Sequence, residues 1–449
     1  MSTSTETCSR FTSKVDYPVT DLSRSNRLVR FARHGAVGAM AAQVSQAGGS
    51  FVLQLIAAVT LGLSGFGKFA ILYGTIVLLT GIASGFVGDS LTVLNRRAAT
   101  IRSALEGWAL ALSIGAGLIG GAIVIATRFV TVLEGALFAV ATVLFLLEDV
   151  FRRILMAELR FWRIAIVDLA ALIVAMSALV LVSSFDPMSI SLLFGALALG
   201  QGVALLVAGA LLPREERYLA RLSFGGYRTV ARYGVWRSAQ QGMRPALLTA
   251  VRAAVVVAVG LTAIGQLESA RLFVAPAMLL VSGFSTFLFA TFAKNGHVAL
   301  GALLKKADRG VSQLVAITVV IGGISLLILP TIGQLLIGKH LDTLMVIGWI
   351  AYSASVAAVT PYGALAAVRG RQATVLALRG TDSFLSLAGA WAVLAVGAPV
   401  SVVPFILTAG SLLGGLAIRW LVLHPEAALL HHPAPEAISF QQKKAVTHV

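Results

Sequence analysis

The side chains in this sequence best suited to chemistry share one apolar stretch: Arg237, Gln240, Gln241, Arg244 and Arg252. At roughly 100° per residue they fall within about 120° of one another on a helix. Arg237 lies at one mouth of the stretch, where a long side chain can snorkel. Arg244 and Arg252 lie deeper. A guanidinium offers a planar fork that fits phosphate and carboxylate oxygens. Holding one inside an apolar medium costs roughly 2.5–3.5 kcal/mol on insertion scales. A deep arginine therefore answers either to a buried carboxylate or to water and an anionic ligand. Pro245 follows Arg244 and frees a backbone carbonyl there. A second stretch carries Gln43, Gln46, Ser50 and Gln54 within roughly 80°. Facing each other, the two stripes would line a polar cleft with a cationic wall. The chemistry on offer is anion binding rather than bond making.

The carboxylates able to neutralise these arginines are few. Asp89, Glu148, Asp149, Asp168 and Asp382 all read as lying toward the cytoplasmic ends of their stretches. Asp89 could reach Arg244, pair with Arg96 or Arg97, or serve as a proton- or cation-coupling site. No carboxylate is expected at the depth of Arg252, and an unpaired buried charge costs several kcal/mol. Glu148-Asp149, close to Arg152 and Arg153, reads as a span end at the surface. Glu134, Asp186, Glu268 and Asp342 read as outer-loop residues, and Gln201 as an interhelical hydrogen bond. The single cysteine, Cys8, allows no disulfide. His431 and His432 have no metal-ligand spacing. No phosphate-binding Gly-x-x-x-x-Gly-Lys-Ser/Thr loop occurs. The reading is no catalytic residue, no metal, no cofactor and no enzyme.

The elements that must position these residues are membrane helices. Of 449 residues, 58% are apolar and only 12% charged, and the mean hydropathy is +0.90. A soluble globule needs a larger polar skin. A transmembrane helix needs roughly 20 mainly apolar residues. Twelve stretches qualify: 36–62, 69–94, 104–127, 130–150, 164–184, 189–212, 236–262, 270–293, 310–333, 343–368, 381–398 and 401–423. The net charge of +16 would suggest nucleic acid in a soluble chain. Here it obeys the positive-inside rule. With the amino terminus in the cytoplasm, the outer loops hold only Lys68, Arg128, Arg271 and Lys339, so nucleic acid is not an expected partner. The predicted architecture is an all-α polytopic membrane protein with both termini cytoplasmic. Residues 1–35 and 424–449 are tails. Residues 36–212 and 236–423 are two six-helix bundles, joined by a central loop at 213–235.

The two halves echo each other. Phe31-Ala32-Arg33-His34-Gly35 recurs as Val230-Ala231-Arg232-Tyr233-Gly234. Leu61-Gly62-Leu63-Ser64 with Gly67-Lys68 recurs as Val259-Gly260-Leu261-Thr262 with Gly265-Gln266, at almost the same offset. Six spans per repeat keep both halves in one orientation. That predicts pseudo-two-fold symmetry along the membrane normal, with a site between the halves near the midplane.

Leu61-Gly62-Leu63-Ser64-Gly65-Phe66-Gly67-Lys68-Phe69-Ala70, Gly85-Phe86-Val87-Gly88 followed by Leu94 and Arg96-Arg97, and Leu335-Leu336-Ile337-Gly338 carry a resemblance. The chain resembles the polysaccharide-transporter, or oligosaccharide-flippase, branch of the multidrug/oligosaccharidyl-lipid/polysaccharide exporter superfamily. The resemblance implies flipping of a lipid-linked oligosaccharide or polysaccharide by alternating access of two bundles, commonly coupled to an ion gradient. It implies basic cavity residues for the diphosphate, a role matched by position by Arg244 and Arg252. Arg237, Gln241, Gln43, Gln46 and Gln54 complete the candidate substrate-binding set, and Asp89 is the coupling candidate. The implied setting is a bacterial plasma membrane. The implied partners are the glycan-lipid cargo, membrane lipid, and glycosyltransferases or a polymerase of the same pathway. Two alternatives stand beside it. One is a major-facilitator-type transporter of a small anionic solute, although Ser90 follows Asp89 where that class has Arg. The other is a non-transporting membrane scaffold of a glycan assembly complex.

Overall fold

The computed structural model describes residues 22–217, 224–294, 298–333, 341–369 and 371–425. Cys8, Lys339, His431, His432 and most of both tails lie outside the described residues. The described chain forms twelve long helices. They are α1 (Leu22–Thr60), α2 (Gly62–Ala83), α3 (Ala99–Ala126), α4 (Val132–Ala157), α5 (Phe161–Ser183) and α6 (Ile190–Leu211). The second six are α7 (Tyr227–Ala258), α8 (Leu261–Lys294), α9 (Leu300–Ile328), α10 (Thr343–Val368), α11 (Gln372–Ala395) and α12 (Val403–Ala417). α2 continues through a π turn at Ser84–Gly88 into Asp89–Val93. Each of the twelve expected spans falls on one helix, and α1 reaches back to Leu22.

Among the described residues, nine helices are long and apolar enough to cross a membrane by length and composition alone. The three that fall short are α4, α7 and α11. They carry Glu148 to Arg153, the α7 arginines, and Arg379 with Asp382. A charge inside a span lowers its apolar score, and it survives there only with a partner or water. The polar helices are thus the ones to search for function.

Local signals start and stop these helices. Thr131 and Glu134 form a capping box at the start of α4, and Ser189 caps α6. Gly62 and Gly260, at the α1–α2 and α7–α8 turns, have φ of 65° and 112°. These are the repeat-related glycines, and both occupy backbone space that a side chain disfavours.

The halves pack alike. In the first, α4 and α5 lie on α6 and α1 lies on α5; in the second, α10 and α11 lie on α12 and α7 lies on α11. The result is two six-helix bundles related by a pseudo-two-fold axis along the helices. α2 and α8 cross at that axis. There Gly67 sits against the carbonyl of Leu261, and Gly265 against the carbonyl of Leu63. The bundles also interlock: Leu272 of α8 is buried in the first half's core, and Ile71 of α2 packs on the second's. Gly74, Gly81 and Gly85 put one small-residue face of α2 against α7, the device by which membrane helices approach closely.

Candidate functional site

Arg244 stands near the middle of α7. It is exposed, and among the described residues it has no carboxylate within ion-pair distance. Its Nη2 donates to Met278 Sδ at 4.0 Å, and its guanidinium lies 5.7 Å from the centroid of the Tyr352 ring. It borders two cavities. The first, of about 200 Å³, lies between the halves and is lined from α1, α7, α8 and α10, with Gln54, Arg271, Trp349 and Tyr352 among its walls. The second, of about 210 Å³, lies within the second half between α7, α10, α11 and α12. An arginine with no counter-ion beside two cavities can receive an anion without first breaking an ion pair.

Arg252 differs from the expectation. It is 6% exposed, and Glu268 of α8 holds it at 2.8 and 3.3 Å. The expectation failed because α8 begins at Leu261, so Glu268 is two turns inside a helix rather than in an outer loop. Glu268 also accepts from Arg271 Nε at 2.6 Å, and Arg271 Nη2 donates to Gln54 Oε1 at 3.0 Å. The chain Arg252–Glu268–Arg271–Gln54 thus ties α7, α8 and α1 together toward the α1–α2 end. Gly74 of α2 makes room for the Arg252 guanidinium, which a Cβ there would strike. Sequence reasoning missed Arg271 as a cavity residue for the same reason. The signal that could have found it is its spacing, three residues after Glu268 on one helix face.

Asp89 pairs with neither Arg244, Arg96 nor Arg97. Arg237 Nη2 lies 2.6 Å from its Oδ2, Arg237 Nε donates to the same oxygen at 2.8 Å, and Gln241 Nε2 donates at 3.4 Å. Arg237 and Gln241 therefore join Asp89 in a strap between α7 and α2 at the α2–α3 end. Arg96 pairs instead with Glu158 and Glu216. The glutamine stripe of α1 divides. Gln54 reaches the cavity between the halves, Gln46 lines a smaller cavity inside the first half, and Gln43 is exposed.

That smaller cavity, of about 60 Å³, is bounded by α1, α2, α4, α5 and α6, and Glu148, Asp168 and Gln201 face it. Glu148 and Asp149 are each 4% exposed. The structure corrects the surface reading of this pair, because α4 runs on to Ala157 and carries them inside. Asp168 lies 3.2 Å from Arg152, and Asp149 lies 3.6 Å from Arg153 and accepts from Ser84 at 2.5 Å. Three carboxylates here meet two guanidiniums. Glu148 Oε1, Asp168 Oδ2 and Gln201 Oε1 are buried without a hydrogen-bond partner, so Gln201 is not the interhelical link expected of it. Buried acceptors left open around a cavity suit a proton, a water or a small cation.

No protein-family model and no curated protein matches the sequence. Solved structures do match. One is described as an inward-facing conformation of a multidrug resistance MATE family transporter of the MOP superfamily. It aligns with TM-score 0.65 and 13% identity over 87% of this chain and 96% of its own. A MOP superfamily transporter from Pyrococcus furiosus, described as having a binding pocket of reverse polarity, aligns with TM-score 0.63 and 12% identity over 89% and 95%. An outward-facing MATE family transporter aligns with TM-score 0.62 and 13% identity over 89% and 97%. At such identity the likeness is one of fold: the chain is a multi-pass membrane protein with the twelve-helix, two-bundle fold of these MOP superfamily transporters.

Proposed function

We propose that this protein is an alternating-access transporter that flips a lipid-linked oligosaccharide or polysaccharide across a bacterial plasma membrane, with both termini cytoplasmic. The observation that carries the reading is Arg244, a guanidinium midway along α7 with no carboxylate partner among the described residues, on cavities at and beside the seam between the bundles. Arg271 adds a second guanidinium to the inter-half cavity. Such a cavity favours an anionic cargo, and a diphosphate suits the planar fork of arginine. An organic-cation site would call for open carboxylates there instead. Solved proteins of this fold are described in inward- and outward-facing conformations, and one as having reversed pocket polarity. The inward- and outward-facing descriptions lend support to alternating access here. The paired Asp89 makes a poor coupling site. The open acceptors of Glu148 and Asp168 make a better one, with one carboxylate in excess to be balanced by a proton or a monovalent cation.

The test is a flipping assay in proteoliposomes with a fluorescent polyprenyl-diphosphate disaccharide. Arg244→Ala is expected to lower the rate at least tenfold, as about 1.4 kcal/mol per lost charge-assisted contact would do. Arg244→Lys should keep part of the rate. An unchanged rate in folded Arg244→Ala protein would remove the reading.

A further inference from the structure

The two halves hold repeat-related cavities with opposite charge. The packing fixes the correspondence. Gly200 of α6 sits against the Ala171 carbonyl and Ala175 of α5, and Gly410 of α12 sits against the Asp382 carbonyl and Ser386 of α11. Asp168 lies three residues before Ala171, and Arg379 lies three residues before Asp382. Asp168 faces the first-half cavity and Arg379 the second-half one. One fold position therefore carries an acid in one half and a base in the other.

The second-half cavity has further features of a built site. Arg244 and Arg379 both line it, against the single carboxylate of Asp382. That carboxylate is already engaged, by Arg379 at 3.3 Å and by Ser383 Oγ at 3.2 Å. The net charge facing the cavity is positive. Ser386 and Ser411 also line it and are 3% and 9% exposed. Each hydroxyl can both donate and accept a hydrogen bond. Gln240 and Thr360 extend the polar wall. The neighbouring cavity between the halves, which shares Arg244 and Tyr352, is walled mainly by apolar side chains such as Phe51, Leu248, Leu272, Met278 and Trp349, with Gln54 and Arg271 among them. Arg244 thus stands where a hydroxyl-lined chamber meets a mainly apolar one that holds a second guanidinium.

We infer that the chamber between α7, α10, α11 and α12 is a subsite for a phosphorylated sugar headgroup. Arg244 and Arg379 read the sugar-bearing phosphate, the Ser386 and Ser411 hydroxyls read the sugar, and the rest of the cargo, its second phosphate near Arg271 and its apolar part, lies across Arg244 in the neighbouring cavity. The inference rests on the anionic-cargo reading and deepens it, since it places the headgroup in the second half alone.

Glucose 1-phosphate, inorganic phosphate and glucose serve as probes, titrated calorimetrically into the purified full chain in nanodiscs. Glucose 1-phosphate is expected to bind about tenfold tighter than either fragment, the gain of combining charge-assisted and neutral hydrogen bonds. Arg379→Gln should weaken both phosphate probes about tenfold, and Arg379→Lys should restore most of the loss. Ser411→Ala should weaken glucose 1-phosphate several-fold and leave inorganic phosphate unchanged, because it removes a neutral contact only. If Arg379→Gln does not fold, Ser411→Ala decides alone. Equal affinity for the sugar phosphate and inorganic phosphate in the native chain overturns the subsite, as does indifference to Ser411→Ala. If flipping fails in Arg244→Ala while glucose 1-phosphate binding ignores Arg379→Gln, the subsite falls and the cargo reading survives. If glucose 1-phosphate binds as described while flipping ignores Arg244→Ala, the subsite survives and the glycan-lipid reading falls.

Discussion

Gly67 and Gly265 meet at the crossing of α2 and α8, each seated against the carbonyl of the residue four places before the other. The contact is reciprocal, as a two-fold axis requires. It depends on two residues without a Cβ, because the opposing atoms are backbone and cannot turn aside. Gly67→Val is expected to lower the thermal midpoint of the purified protein, at the cost of about 1–3 kcal/mol or more that overpacking brings. Gly265→Val should do the same. Gly48→Ala, where a Cβ meets nothing within 4 Å, is the control and should leave the midpoint unchanged or raise it. Equal midpoints for Gly67→Val and Gly48→Ala would mean that the crossing is looser than described.

The Glu268 carboxylate, shared by two guanidiniums, yields an ordering. Glu268 is 2% exposed and Arg252 6%, whereas the side chain of Arg271 is 28% exposed. Removing one partner of a buried pair costs about 3–5 kcal/mol, because the other is left charged and dry. Glu268→Ala should be the most destabilising, Arg252→Ala next, and Arg271→Ala least. The joint change Arg252→Met with Glu268→Leu should recover much of the loss, since it strands no charge. Thermal melts in detergent read the order. A double variant as poor as Glu268→Ala would mean that packing, not charge, governs the site.

These pairs also show how far the sequence was legible. Apolar run length and the sign of the loops led to twelve spans, and each matches a helix. The echo of Gly62-Leu63 in Gly260-Leu261 pointed to the axis on which Gly67 and Gly265 meet. The glutamine and arginine stripes pointed to α1 and α7, but not to their partners. Glu268 and Arg271 looked like loop residues because two charges and a Gly-Gln pair depress the apolar score over the first turns of α8. Arg379 escapes notice because it precedes the apolar stretch 381–398, although its helix begins at Gln372. Partners from different helices are set by tertiary packing, which no local pattern encodes. Arg244 was found because its depth is a property of its own helix; the partner of Arg252 is a property of another.

Asp89 and Arg237 join the halves at the α2–α3 end, with side chains 14% and 26% exposed. A partly exposed pair contributes only about 1 kcal/mol, so Asp89→Asn should shift the melting midpoint slightly. Its larger effect should be on motion. If α2 and α7 separate at this end during the transport cycle, loosening the strap favours the separated state. Cysteine accessibility at position 238, whose serine donates to the Ile82 carbonyl at 2.9 Å, should rise in Asp89→Asn in a Cys8-free background. The charge swap Asp89→Arg with Arg237→Asp should bring it back. Unaltered accessibility in Asp89→Asn would show that the strap does not hold this seam.

Glu148 and Asp168 carry the last prediction. Each has a buried oxygen without a hydrogen-bond partner beside the first-half cavity, and with Asp149 they outnumber Arg152 and Arg153. Glu148→Gln keeps the shape and removes the excess charge. If that charge is what a driving cation or proton neutralises, the variant should still flip the fluorescent glycan-lipid downhill but lose acceleration by an imposed gradient. Asp168→Asn should lose the same acceleration and also destabilise the protein, because it leaves Arg152, 3% exposed, without its ion-pair partner at 3.2 Å. Comparing flipping with and without pH and sodium gradients separates drive from binding. A Glu148→Gln protein that still responds fully to both gradients would move the coupling site elsewhere, and a protein that loses downhill flipping as well would make Glu148 a structural or cargo residue instead.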